Sequence, residues 1–168
     1  MQRDHKTINR LLAGLIFAIA FIIYFLTIAP TASFWDPAER IASAHTLQIP
    51  HPPGAPFYLL LGRLFAMFMP TEYVSLSINM MSALSSALTV MLLYLIVVRL
   101  IRAIKGHPDT YSVYDRFAMY SGAAIGALAF SVSDSHWFVS VEAETYAMSL
   151  FFYCPGSLAI PSLGRDSR

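Results

Sequence analysis

The sequence predicts an all-α, polytopic membrane protein, and three observations carry that reading. Of the 168 residues, 57% are hydrophobic and only 12% are charged. With a mean hydropathy of +0.57, this is a membrane-protein composition rather than that of a soluble domain. The apolar residues gather into uncharged runs of spanning length. Clusters of Lys and Arg close those runs, which is how orientation in a bilayer is set. The net charge of +1 gives no support to nucleic-acid binding. The single cysteine, Cys154, excludes an internal disulfide, and no Cys/His pair has zinc-site spacing.

Arg3, Lys6 and Arg10 precede the first run, residues 11–29, which holds no charged side chain. At ~1.5 Å per residue it covers ~30 Å of hydrocarbon. Ala32 and Ser33 follow it, as after a signal peptide. Signal cores are shorter, roughly 7–15 residues, and here further spans follow, so the segment is read as retained. The second run, 74–98, ends in Arg99, Arg102 and Lys105. With basic residues inside, the N-terminus and this cluster share the cytoplasmic side, so an even number of crossings separates them. Residues 57–69 therefore do not cross. They are too short, contain Arg63, and are read as an amphipathic helix at the outer interface.

Ser75, Asn79, Ser82, Ser86 and Thr89 recur at helical spacing along the second run. They form a stripe that either lets another helix approach closely or lines a polar cavity. A third span is expected over 117–132, where Gly122 and Gly126 have helix-packing spacing. A second outer loop, SDSHWFVSVEAETYAMS, leads into a partial fourth span at 146–153. Residues 154–168 then turn to prolines with no apolar continuation and read as an unrelated or frameshifted tail. On this reading, 1–153 is the front piece of a larger membrane domain.

Everything is arranged around residues 34–63, FWDPAERIASAHTLQIPHPPGAPFYLLLGR, the longest polar interruption. The topology places its Asp36 and Glu39 on the same outer side as Glu142 and Glu144. Carboxylates at a membrane face are costly and often functional. Asp36 also suits a helix N-cap, with Pro37 first in the helix and Glu39 closing a capping box. Glu142 and Glu144 are either a solvated pair at a helix entrance or two ligands for one divalent cation such as Mg or Mn. His51 stands in a rigid turn, His51-Pro52-Pro53-Gly54, and is either structural or a phosphate contact. Arg63 either snorkels to the interface or meets a lipid phosphate.

In order along 11–152, FWD-x-x-E, HPPGAPFYLLLGRLF, the Asn79/Ser82 helix and VEAETYAMS resemble the N-terminal part of the DUF2723 membrane proteins. These are related to protein O-mannosyltransferases within the GT-C glycosyltransferase superfamily. Where that family commonly has a Gly before the first Glu, this chain has Ala38 behind Pro37. The resemblance implies the N-terminal part of a GT-C-like transmembrane domain. It implies transfer of a sugar, mannose among the candidates, from a polyprenyl-phosphate donor to a protein or glycan hydroxyl outside the cytoplasm. Asp36 would be the general base, with Glu39 the alternative. His51 or Arg63 would stabilise the leaving phosphate, and Glu142 or Glu144 would bind a metal or orient the sugar. The setting would be the bacterial cell membrane, or the endoplasmic reticulum membrane in a eukaryote. The contrasting class is a non-catalytic membrane subunit or transporter fragment.

Overall fold

The computed structural model describes residues 2–52, 54–106 and 111–159, and among these there is no strand. Seven helices follow in order: α1 (Gln2–Thr27), α2 (Asp36–Thr46), α3 (Pro56–Met67), α4 (Val74–Lys105), α5 (Val113–Ser131), α6 (Asp134–Val141) and α7 (Thr145–Ala159). A single 3-10 turn, Thr71–Tyr73, leads into α4. Two helical stretches, His5–Thr27 and Thr71–Lys105, are long and apolar enough to cross a membrane.

Helix α4 is the spine, packing against each of the other six. Its lower half meets α1 and α5 through small residues at helical spacing. Ala13, Ile16, Ala20 and Tyr24 come from α1, Ala83, Ala87, Val90, Tyr94 and Val98 from α4, and Met119, Ala123 and Ala127 from α5. Alanine at the crossing lets backbones approach, which is where helices in lipid gain their packing energy. The opposite face of α1 presents Leu11, Leu15, Ile22, Phe25 and Leu26 outward. Such a surface suits hydrocarbon rather than water.

The glycines at 122 and 126 are not part of this packing. A Cβ added at either would meet nothing within 4 Å, and the alanine face one residue on makes the contact instead. The polar stripe of α4 does face inward, with Asn79, Ser82, Ser86 and Thr89 all buried. Asn79 donates to the carbonyls of Ala29 (2.8 Å) and Thr31 (3.3 Å), fastening the exit of α1 to α4.

Helix α5 begins earlier than hydropathy suggests. Ser112 accepts from the Asp115 N–H (3.1 Å) and Asp115 accepts from the Ser112 N–H (3.2 Å), a reciprocal cap. Lys105 also pairs with Asp115, tying the end of α4 to the start of α5. That ion pair and the cap hold the Asp115 carboxyl down to about 2.

The segment expected as a second outer loop is in part helical. Asp134–Val141 form two turns whose buried His136 stacks on Phe130, ring centroids 4.2 Å apart. Burial pushes the His136 imidazole down to about 4. Trp137 donates to Thr27 Oγ1 (3.0 Å) and the Ala29 N–H to the Val141 carbonyl (3.0 Å). The helix is thus laid across the end of α1. Helix α7 continues past residue 153 to Ala159 with Pro155 inside it. Residues 160–168 of the tail lie outside the described residues.

Candidate functional site

Two turns of α2 put Asp36, Glu39 and Arg40 on one face, because residues three and four apart are neighbours on a helix. Asp36 is not the cap that its sequence context suggests. The capping position is Trp35, held at φ 73 with no side-chain cap bond, and Asp36 is already helical with Pro37 after it. Its carboxylate turns to Arg40 instead, with Nη2–Oδ2 at 3.0 Å. Glu39 likewise closes no capping box.

The chain leaves α2 through Leu47, in the left-handed region at φ 56, and the Gln48 N–H returns to the Ser43 carbonyl at 3.0 Å. That reversal carries residues 48–51 back along α2 and brings His51 to Glu39. The His51 N–H donates to Glu39 Oε1 (2.9 Å), and its ring Nδ1 lies 2.5 Å from Oε2. His51 Nε2 lies 4.0 Å from Asp36 Oδ2. The hydrogen bonds from His51 hold the Glu39 carboxyl below its ordinary value, and Glu39 lifts the imidazole above its own. Gly54, at φ 67, closes the turn onto the His51 carbonyl at 3.0 Å. Pro53 of this turn lies outside the described residues.

Helices α2 and α3 then run close together at Gly62, where an added Cβ would stand 2.9 Å from the Ala44 Cβ. Only glycine allows that approach without displacement. Ile41, Ala44, Tyr58, Leu59, Ala66, Val74, Ile78, Met81, Ala143 and Met148 form the core beneath.

From the segment between α6 and α7, Glu144 reaches this layer. Its Oε2 lies 2.5 Å from Arg40 Nη1, and both side chains are about nine-tenths buried. Burial pushes the Glu144 carboxyl up, and Arg40 draws it only part of the way back. Beneath them, burial raises the Tyr58 hydroxyl, whose polar neighbours are Ser82, Arg40 and Glu144. Arg40 therefore joins α2 to the segment between α6 and α7. Nothing in the sequence marks it beyond an Asp four residues earlier, a spacing that usually denotes a surface pair.

Of the residues expected at the site, Asp36, Glu39, His51 and Glu144 come together. Glu142 lies near enough to add its charge to the surroundings of Glu144, yet only its carbonyl bonds there, accepting from the Glu144 N–H at 2.8 Å. Arg63 is elsewhere: its guanidinium bonds the His45 carbonyl in the last turn of α2. Cations favour that end of a helix dipole. Among the described residues no three His, Cys, Asp or Glu side chains are placed to hold a metal, and Glu144 is paired with the Arg40 guanidinium.

Beside the charged cluster, between the starts of α3 and α7, lies an apolar groove of about 200 Å³. Phe57, Tyr58, Thr145, Met148 and Phe152 line it.

A family model described as the protein O-mannosyl-transferase TMEM260 N-terminal domain matches residues 36–155. That match begins at Asp36 and takes in every residue of the cluster. The mouse protein O-mannosyl-transferase TMEM260 is 27% identical over 137 residues, covering 82% of this chain and 17% of that protein. A Dictyostelium discoideum protein of the same name is 26% identical over 140 residues, covering 82% of this chain and 15% of its own length. The chain thus spans under a fifth of the curated relatives it matches. No solved structure matches it. On the strength of the family match, this chain belongs to the TMEM260 N-terminal domain family of protein O-mannosyl-transferases.

Proposed function

We propose that this chain forms the outer-face base of a GT-C-type membrane glycosyltransferase. The enzyme moves a mannosyl group from a polyprenyl-phosphate donor to a hydroxyl of a protein or glycan on the non-cytoplasmic side. Asp36 is the general base. One observation carries this: its carboxylate is half exposed, and the Arg40 guanidinium at 3.0 Å and the His51 ring at 4.0 Å both address the same oxygen, Oδ2. On this reading Oδ1 is the oxygen that receives the acceptor hydroxyl. In the reaction the bond from sugar C1 to phosphate oxygen breaks with its electron pair leaving on the phosphate. The acceptor oxygen bonds to C1, and its proton passes to Oδ1. His51 presents positive charge beside that centre and fits stabilisation of the departing phosphate. Glu39 holds His51 rather than acting as base.

The apolar groove beside the cluster suits the lipid portion of such a donor. The exposed apolar side of α3, with Phe57, Leu60, Leu64 and Met67 outward, suits a helix lying at the interface. The named relatives come from a mouse and Dictyostelium, which favours the endoplasmic reticulum over a bacterial membrane.

The test is mannosyl transfer from a synthetic polyprenyl-phosphate mannose by a full-length relative, with and without Asp36→Asn at the aligned position. No transfer by the parent would refute the reaction, and an active Asn variant would refute the base. Sidedness is tested separately in a Cys154→Ser background. Cysteines at the exposed positions Ile49 and Ser135 should both label with an impermeant thiol reagent, and one at Ile104 should not.

A further inference from the structure

Arg40 is the one residue of the cluster whose position depends on both outer segments at once. Its side chain is 10% exposed, set between Asp36 on its own helix and Glu144 at the start of α7. A cation this deep is stable only with its counter-charges in place. The guanidinium faces both of them: Nη2 donates to Asp36 Oδ2 at 3.0 Å, and Nη1 lies 2.5 Å from Glu144 Oε2 as an ion pair. A lysine ammonium would offer one compact charge on a flexible stem, and could not grip two separated carboxylates in fixed directions. Asp36 alone, at 48% side-chain exposure, would sample several rotamers.

We infer that Arg40 is a positioning residue for the transfer: anchored by Glu144 of the second outer segment, it fixes Asp36 through Oδ2 so that Oδ1 is presented to the acceptor hydroxyl. This rests on the reading of Asp36 as the base. Its consequence is that the base is aligned only when α7 is docked against α4 so that Glu144, just before it, reaches Arg40. Both outer segments then contribute to one carboxylate, although only the first carries it. Misplacement of a reacting group by about 1 Å can cost about 10²-fold in rate, so the effect of losing the fork should be of that size.

The experiment uses a full-length relative that has Asp, Arg and Glu aligned with Asp36, Arg40 and Glu144. Five variants are compared with the parent for kcat, for KM of donor and acceptor, and for melting temperature: Arg40→Met, Arg40→Lys, Glu144→Gln, Asp36→Asn and the double variant Arg40→Met with Glu144→Gln. Arg40→Met should lower kcat about 10²-fold with both KM values little changed, and Arg40→Lys should restore part of it. Glu144→Gln should lower kcat in the same sense and add little to Arg40→Met, because the two residues act through one contact. The inference is overturned if Asp36→Asn is inactive while folded Arg40→Met keeps the parent kcat. It is equally overturned if the Lys and Met variants lose activity only in step with their melting temperatures. Should Arg40→Met fail to fold, an unchanged kcat in Glu144→Gln overturns it instead. An active Asp36→Asn removes the base itself, and the role of Arg40 with it.

Discussion

Along the lower half of α4, between Ala83 and Val98, the buried neighbours are almost all uncharged side chains from α1 and α5. Around its first two turns, the neighbours include Tyr58, Ile41 and Met148, with Arg40 and Glu144 buried just above them. The same helix therefore serves two environments. The lower packing is repetitive and built largely on alanine and aliphatic side chains, with few directional contacts, among them the Tyr24 hydroxyl on the Ser131 carbonyl. The upper layer is held by few contacts that each have one correct geometry: a guanidinium between two carboxylates, a histidine on a glutamate, a glycine against an alanine. Uniform packing builds a scaffold, whereas directional contacts fix where one carboxylate stands.

The sharpest way to break this comparison is Asp36→Asn in a full-length relative. Transfer should fall by ~10²–10⁴, the usual worth of a general base. Asp36 caps no helix here, so Asn and Ala should behave alike in melting. Each takes one of the two counter-charges from the buried Arg40 and the 4.0 Å approach of His51, so both should lower the melting temperature by a similar amount. A large loss of stability with Ala but not Asn would restore the capping role and weaken the catalytic one.

The next test sets one residue type in both regions. Gly62→Leu must push α2 from α3, since even a Cβ would stand 2.9 Å from Ala44; overpacking of this kind costs about 1–3 kcal/mol. Gly122→Leu meets open space and should be neutral or slightly stabilising through helix propensity. Thermal unfolding in detergent decides it. Equal losses would mean that the two regions are not packed differently after all. Tyr24→Phe is smaller still: it removes the bond from the hydroxyl to the Ser131 carbonyl at 2.9 Å. The expected cost is about 1 kcal/mol, visible as a modest drop in melting temperature.

How far these features can be read from sequence follows the same division. The long helices are legible because hydropathy is a sum over many residues, and α1 and α4 carry it plainly. Asp36, Glu39, His51 and Glu144 are legible as members of one cluster, since polar residues between long apolar runs stand out. Their partners are not. Whether Asp36 caps α2 or faces Arg40 turns on the backbone at Trp35, whose positive φ no residue preference announces. Arg63 resembles a phosphate ligand in sequence because its role depends on the last turn of α2 lying beside it. Arg40 is invisible there because its second partner lies more than a hundred residues away. The helix Asp134–Val141 reads as loop, its eight residues being too few and too mixed to show a period.

The smallest effect concerns the latch between His51 and Glu39, the most exposed directional contact of the upper layer. Glu39 has its carboxyl lowered from 4.5, so its share of the stability is present above that value and is lost as pH falls through the lowered one. His51 has its imidazole raised from 6.5, so its share is present below that value and is lost as pH rises through the raised one. The latch is therefore complete between 4.5 and 6.5 and loosens on either side. Both groups are exposed, so water screens most of the energy and the melting temperature should hardly move. The ring resonances of His51, assigned through His51→Gln, give the readout. They should titrate above 6.5 and move back toward that value in Glu39→Gln. Asp36→Asn should shift them less, because Asp36 stands 4.0 Å from the ring and shares no close hydrogen bond with it. If His51 instead titrates at or below its ordinary value in the parent, the turn does not rest on α2. The upper layer would then lack the contact that keeps positive charge beside Asp36.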